Sequence, residues 1–462
     1  MQIHVDTIQL KNITHHPICF EKQKIIVTKY FIRRYCTFAK TLFLKSQNVS
    51  RKHKESTQFT ENKIKLRQSR KFIYWIFFLY RELLKTNLTM QVRLFLIVLI
   101  ACFSKIAEAQ IDSIWQEKPM LNISGFLDVF YVYDFNQPQG TDRQAFLFNH
   151  NRHNEFNLNL GFVKLGLEHS KYRANIALQT GTYVNDNYAS EPTVLRNVFE
   201  ANVGLSLNKS NNLWLDAGIF ASHIGFESAV STDNWTMTRS LLAENSPYFL
   251  SGAKLSFNPN RKSEIAGLIL NGWQRIQRLQ DNSLPSFGTQ FKFKLTEKTS
   301  INWSTFIGTD DPDTTRRMRY FNNFYGQFQF TEKLGIIAGF DIGTQQTAKG
   351  NSTYDIWFSP VLIAQYSINQ TWKTAIRAEY YEDEQGIIIP TSTSNGFKTA
   401  GISLNFDYSP TKNIIFRLEG RWLKSKDAIF ETKSTFTDNN FILATSIAIR
   451  FSEAIKGKNG IQ

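Results

Sequence analysis

Asn439-Asn440-Phe441-Ile442-Leu443-Ala444-Thr445-Ser446-Ile447-Ala448-Ile449-Arg450-Phe451 is the stretch on which the fold turns. In an extended chain Phe441, Leu443, Thr445, Ile447, Ile449 and Phe451 fall on one face, and Asn440, Ala444, Ser446 and Arg450 on the other. One face suits hydrocarbon and the other suits water. The run is as long as the roughly 9–11 residues with which a tilted strand crosses a bilayer. The same alternation sets Ile402, Leu404, Phe406 and Tyr408 against Ser403, Asn405 and Asp407. It also sets Ile414, Phe416, Leu418 and Trp422 against Arg417, Glu419 and Arg421. Working back to Leu121, such segments start near residues 121, 155, 172, 197, 212, 248, 263, 286, 299, 318, 333, 354, 370, 397, 412 and 439, sixteen in all.

The connections decide between a soluble β-protein and a barrel in a membrane, because short and long ones alternate strictly. Short turns include His169-Ser170-Lys171, Lys209-Ser210-Asn211, Thr296-Glu297-Lys298, Thr331-Glu332-Lys333 and Ser409-Pro410-Thr411. Long loops cover about 135–154, 185–196, 222–247, 276–285, 309–317, 345–353, 382–396 and 425–438. The expected fold is therefore all-β: a transmembrane antiparallel up-and-down β-barrel of about sixteen strands, with long extracellular loops and short periplasmic turns. Of the nine prolines that follow Pro119, all except Pro360 fall in loops, turns or strand ends. Pro360 then needs a bulge, or its strand begins at Val361. Trp214, Trp273, Trp372, Tyr408 and Trp422 near strand ends suit interfacial girdles. A barrel this wide is expected to hold an aqueous lumen.

The chain has 54 Lys+Arg and 39 Asp+Glu, a formal net charge of +15. Residues 1–89 hold 18 Lys+Arg and 5 Asp+Glu, +13 of that total, so only +2 remains for residues 90–462. No basic domain is left to bind nucleic acid. Residues 90–109 have a positive start (Met90 to Arg93), an apolar run (Leu94 to Phe103) and a small-x-small site at Ala107-Glu108-Ala109. They read as a signal peptide cut between Ala109 and Gln110, and residues 1–89 as upstream sequence ahead of a start at Met90. The eight apolar residues Phe72 to Leu79 are too short for a spanning helix, and Leu99-Ile100-Ala101-Cys102 is the less well formed lipidation alternative. All three cysteines precede residue 110, which excludes disulfides and thiolate metal sites from the exported part. The expected layout is a periplasmic segment 110–120, a barrel 121–451 and a tail 452–462.

Little in the body suggests chemistry. His150-x-x-His153-x-Glu155 has the residue types of a cation site, though a solvated polar loop is the plainer reading. Asp310, Asp311 and Asp313 resemble a calcium loop loosely, with Arg316, Arg317 and Arg319 close enough to neutralise them. Ser222-His223 point apart on an extended chain and lack a third member, so no enzyme and no cofactor are expected. The loop 222–247 is the longest connection and carries His223, Glu227, Asp233, Arg239 and Glu244. Folded inward it would narrow the pore, facing Lys373, Arg377 and Glu379 on one strand, Asp407 on the next, and Arg417, Glu419 and Arg421 on another. Charges of both signs there imply weak net ion preference.

Several segments resemble the OmpL-like beta-barrel porin family of diderm bacteria. They are Gly125-Phe126-Leu127-Asp128-Val129-Phe130-Tyr131-Val132-Tyr133-Asp134-Phe135-Asn136, Gly181-Thr182-Tyr183-Val184, Asn187-Tyr188-Ala189-Ser190-Glu191-Pro192 and Ala221-Ser222-His223-Ile224-Gly225-Phe226-Glu227-Ser228. Asn234-Trp235-Thr236, Arg239-Ser240, Ala243-Glu244-Asn245-Ser246-Pro247-Tyr248 and Asn271-Gly272-Trp273-Gln274-Arg275 continue the likeness. The resemblance implies an outer-membrane porin with nothing catalytic and carries no settled substrate; the wide barrel is expected to pass small hydrophilic solutes or ions by passive diffusion, with a substrate-selective channel as the runner-up and a closed-lumen enzyme or adhesin as the third reading. Its partners would be outer-membrane lipid and the insertion machinery, with a homotrimer usual for porins of this size. One departure is that Phe451, the terminal aromatic such machinery reads, is followed by Ser452 to Gln462.

Overall fold

The computed structural model describes residues 117–455. The expectations for residues 1–89 and 90–109, and the cleavage between Ala109 and Gln110, lie outside the described residues. Sixteen strands form one closed barrel. They are β1 (Met120–Asp134), β2 (Phe156–Glu168), β3 (Tyr172–Thr180), β4 (Val198–Ser206), β5 (Leu213–Ala221), β6 (Phe249–Phe257), β7 (Ser263–Leu270) and β8 (Ser286–Thr296). The second half comprises β9 (Thr299–Gly308), β10 (Arg319–Gln329), β11 (Leu334–Gln346), β12 (Tyr354–Ser367), β13 (Trp372–Asp383), β14 (Phe397–Thr411), β15 (Ile414–Ser425) and β16 (Asn439–Ile455). Consecutive strands pair antiparallel, and β16 closes on β1 with Phe126 opposite Arg450 and Phe130 opposite Ser446. Each strand opens within two residues of its expected start, because the period-2 pattern that locates it is also the pattern that buries it.

The short turns are held by their own side chains. Thr331 Oγ1 accepts from the N–H groups of Lys333 and Leu334, at 3.2 and 2.9 Å. Asn369 Oδ1 accepts from those of Thr371 and Trp372, both at 2.9 Å. Such local bonds favour a reversal over continued strand.

Three expectations need correction. Pro360 sits inside β12, with the register unbroken on both sides: it opposes Phe340 of β11, and the β13 pairing runs from Phe358–Glu382 to Val361–Glu379 without a shift. The hydroxyl of Ser359 donates to the Tyr380 carbonyl at 2.7 Å, so the acceptor opposite the proline keeps a donor and no bulge is needed. Second, β16 runs past Phe451 to Ile455, pairing Ser452 to Ile455 with Ser124 to Leu121, so the barrel covers Met120–Ile455. Third, Trp372 and Trp422 do face outward, but Trp214 faces inward under the Arg173 guanidinium at 4.4 Å. Trp273 lies in a long loop, edge-on to Phe306 and Phe321.

Outward positions follow the pattern, with Ile402, Leu404, Phe406, Phe416, Leu418, Phe441, Leu443, Ile447 and Ile449 exposed to the bilayer side. The inward positions do not line an open tube along the whole barrel. In the half nearer the long loops, Asp134, Leu160, Phe220, Leu250, Leu270, Phe306, Trp357, Tyr381, Phe397, Leu423 and Ile442 are all buried. Wall side chains alone cannot fill sixteen strands. Loop residues fill the space instead, among them Leu147, Tyr183, Tyr188, Leu241, Ile389 and Phe430.

Candidate functional site

The connection from β5 to β6, residues 222–248, turns into the barrel and bonds to the inner wall around much of its circumference. It leaves β5 at Ser222, whose N–H donates to the Tyr248 carbonyl at 2.9 Å and so closes the base of the loop. The ring of His223 sits over Gly288 of β8, where an added Cβ would come within 2.8 Å of Nε2. Its carbonyl accepts from Gln290 and Ser304, at 2.8 and 2.6 Å. The N–H of Gly225 donates to Asn323 of β10 at 3.1 Å. Phe226 and Trp235 rest against β11 at Gly339 and Gly335, where a Cβ would meet their rings at 2.6 and 2.7 Å. Only glycine leaves room for these aromatic side chains.

Beyond β11 the loop meets charge. Arg417 donates to the carbonyls of Ser231 and Asn234, at 2.7 and 3.0 Å, while its other face holds Asp407 at 2.8 Å. Arg377 donates to the Thr238 carbonyl at 2.6 Å and to the Thr236 hydroxyl at 2.9 Å. Glu419 accepts from the Thr238 N–H at 2.6 Å, Asn405 from that of Met237 at 3.0 Å and Glu379 from that of Leu241 at 2.6 Å. Arg377 joins Glu419 at 3.0 Å, and Arg421 joins Glu379 at 2.8 Å. These wall charges are expected at a water-filled lumen, yet Arg377 and Glu419 are fully buried. Each is met by an opposite charge and by loop backbone, the condition under which burial of an ion is tolerated.

The loop's own charges are also placed within protein. Arg239 is 0% exposed and donates to three carbonyls, Ser228 at 2.6 Å, Met237 at 2.7 Å and Ala229 at 2.8 Å. It therefore staples the two arms of the loop together. Glu227 accepts from the N–H of Ser240 at 3.1 Å and from its hydroxyl, and burial raises its pKa. Glu244 accepts from the N–H of Phe148 at 2.9 Å and from Asn149 Nδ2 at 3.1 Å, tying this loop to the first long loop. Burial pushes it up to about 7. Burial likewise lowers His223 to about 4. Asp233 stays half-exposed and pairs with Arg450 at 2.6 Å, and Lys373 is exposed near the short turns.

The other motifs resolve into structure. His150 faces Asp128 at 3.0 Å in a buried pair, and His153 Nδ1 accepts from the Asp134 N–H at 2.9 Å, so the first loop is packed where a solvated one is the plainer expectation. Asp313 and Asp311 pair with Arg316 and Arg317, at 2.7 and 2.8 Å. Ser222 Oγ accepts from the Ile224 N–H, while His223 Nε2 faces the Thr305 carbonyl, so serine and histidine do not meet. Among the described residues no group of three or more His, Cys, Asp or Glu is arranged to hold a metal ion. What sequence reasoning missed is the inner wall nearer the short turns. There Lys164 pairs with Glu200 at 2.6 Å and Arg173 with Asp216 at 2.6 Å, and Lys292 is exposed. Period-2 strands with inward Lys and Glu at 164, 200, 264 and 292 were the available signal.

The sequence matches the family described as "Putative beta-barrel porin-2, OmpL-like" over residues 120–451. No curated protein matches it. Among solved structures it is similar to an anion-selective porin from Comamonas acidovorans, at 10% identity and TM-score 0.49, covering 72% of this chain and 100% of that one. It is similar to the outer membrane channel DcaP of Acinetobacter baumannii, at 11% identity and TM-score 0.48, covering 72% and 98%. It is also similar to Salmonella typhi OmpF in complex with daunomycin, at 11% identity and TM-score 0.49, covering 72% and 97%. With the family matched over nearly the whole barrel, and sixteen strands closed around a loop-filled lumen, the chain belongs to the OmpL-like beta-barrel porin family and is a porin of the bacterial outer membrane.

Proposed function

We propose that the protein conducts small hydrophilic solutes or ions by passive diffusion, and that residues 222–247 form the barrier they must pass. The observation that carries this reading is the backbone of that loop, bonded to inward side chains of β8, β9, β10, β13, β14 and β15. With Glu227, Arg239 and Glu244 bonded and buried, the loop in this arrangement is closed, and conduction requires it to move. On this reading Arg239, Glu227 and Glu244 hold the barrier together, while Lys373, Asp233 and Arg450 face water on the short-turn side. Single-channel recording of the purified protein in planar bilayers, with reversal potentials in a salt gradient, tests this. Brief openings from a closed baseline are expected. Silence both in the native protein and in a variant lacking residues 231–239 would refute it.

The outer surface supports self-association. β3 to β7 are only 8–9 residues long, against 12–17 for β11 to β16. Among the described residues their outer face exposes Ile176, Leu178, Val203, Leu205, Leu255, Ile265 and Ile269 with a single aromatic, Phe257, and no exposed Tyr or Trp. Headgroup-level aromatics are enriched where a barrel meets lipid, so this sector is where copies of the chain would pack into a homotrimer.

A further inference from the structure

The charged ladder of β13 to β15 makes few contacts with loop side chains; what it mostly reads is loop backbone. Six main-chain groups of the segment Ser231–Leu241 are bound: the carbonyls of Ser231, Asn234 and Thr238, and the N–H groups of Met237, Thr238 and Leu241. Arginine supplies every donor, and Asn405, Glu419 and Glu379 supply the acceptors. Only the hydroxyls of Thr236 and Thr238 add side-chain bonds. Beside this track the Met237 side chain fills an apolar pocket made by Phe130, Val132, Ile442 and Ala444. Wall donors at the carbonyls and wall acceptors at the N–H groups, closest together at Met237 and Thr238, with a pocket for one apolar side chain, form a site complementary to a stretch of peptide, whichever chain supplies it.

We propose that this ladder is the solute-binding track of the channel, that its solute is a short peptide with an apolar side chain, and that Ser231–Leu241 occupies the track when the channel is closed. The inference rests on the diffusion reading above and deepens it. A peptide entering from either side takes over the contacts that Met237 and Thr238 now make: Arg377 takes a carbonyl, Glu419 and Asn405 take N–H groups, and the Met237 pocket takes its side chain. No covalent step is involved. Solutes of equal size without amide groups, such as a trisaccharide, cannot make these exchanges and gain nothing from the ladder.

The test is calorimetric titration of the purified protein with Ala-Leu-Ala, its analogue carrying an N-methylated leucine, and raffinose. It is run on the native chain and on a variant with residues 231–239 replaced by a Gly-Ser linker. Heat-resistant gel migration verifies the fold. Vacating the track should tighten Ala-Leu-Ala binding at least tenfold. In that background R377Q with E419Q should lose the gain, and N-methylation should cost at least tenfold, because it removes a donor without changing charge. Should the linker variant fail to fold, T238P removes two loop donors to Glu419, the Thr238 N–H and its hydroxyl, without changing a wall residue and should tighten binding in the same direction. Equal affinity for the peptide and its N-methyl analogue, or binding indifferent to R377Q and E419Q, would overturn the proposal. Current measured on the same linker variant separates the two readings. A conducting barrel that ignores peptides leaves diffusion standing and ends the peptide track, whereas a silent barrel ends diffusion while the titration still decides the track.

Discussion

Replacing Arg239 by alanine should unlock the lumen without loosening the barrel. The guanidinium donates to three carbonyls on the two arms of the loop, Ser228 and Ala229 on one and Met237 on the other, within 2.6–2.8 Å. Ala229 and Met237 lose their donor in R239A, while Ser228 keeps Asn234 Nδ2 at 2.8 Å, and a buried acceptor left unpaired costs about 1–3 kcal/mol. For two acceptors the gross loss is then roughly 2–6 kcal/mol, and water entering the loosened loop recovers part of it, leaving about 3 kcal/mol. At 1.4 kcal/mol per decade this shifts the closed-to-open ratio by about a hundredfold. R239K keeps the charge but offers a point donor in place of a planar fork, so it should fall between. The guanidinium pairs with no strand, so the temperature at which the barrel loses its folded gel migration should stay at the native value. Single-channel recording should show open probability rising by one to two orders of magnitude, with new protease cuts between residues 228 and 240. Had Arg239 faced a water path, R239E would shift ion selectivity at unchanged open probability. That outcome, or native conductance and protease resistance in R239A, would refute the staple.

Removing the Ser359 hydroxyl in S359A leaves the Tyr380 carbonyl opposite Pro360 without its donor. It should cost about 1–2 kcal/mol in urea unfolding of the refolded barrel, whereas serine-to-alanine changes at exposed turn positions should cost nothing measurable. Glu244 has a docked-state pKa of about 7, above the ordinary carboxylate value it regains when the loop is released. Proton uptake therefore favours the docked loop: open probability should fall as pH drops from about 8 to 6.5, and E244Q should flatten that dependence. Below that window His223, lowered to about 4 by burial, opposes the trend, since charging it favours release. Deleting residues 456–462 should leave assembly unchanged, whereas deleting 452–462 removes the pairing of Ser452 to Ile455 with β1 and should lower the yield of heat-resistant barrel. If copies pack through the short-strand sector, V203R should yield monomers in native gels while the same change at Leu404, across the barrel, should spare the oligomer.

The barrel was legible because its information is local. Two residues suffice to say which face Leu443 and Ala444 take, and sixteen such readings place the wall to within two residues. The lumen was not, because its contacts are distant in sequence: Arg417 meets Ser231 across 186 positions and Arg377 meets Thr238 across 139. The same charges at 377, 417, 419 and 421 were visible as inward-facing. Whether water or a loop would face them depended on the path of residues 222–248, which no periodicity describes. Expecting free charges at a pore was thus the reading a strand alone permits, and the folded loop replaces it with a bonded track.

A second signal was present and points to a rule for such barrels. Toward the long loops, β7 reads Ala266-Gly267-Leu268-Ile269-Leu270, apolar on both faces, and the inward Trp357, Leu423 and Ile442 likewise break the polar-inside pattern. A strand apolar on both faces is buried on both, since exposing one to water forfeits about 25 cal/mol for each Å². The loop supplies the partners those faces need, with Leu241 and Leu242 in contact clusters of the inner wall. Near the short turns the inward face reverts to Lys164, Glu200, Glu264 and Lys292, as water requires. On β2 and β7 the level at which inward residues change from apolar to charged therefore marks where protein stops filling the barrel, whereas on β13 to β15 the charges Arg377, Glu379, Arg417, Glu419 and Arg421 stay buried and the change marks where the loop passes from side-chain to backbone contact.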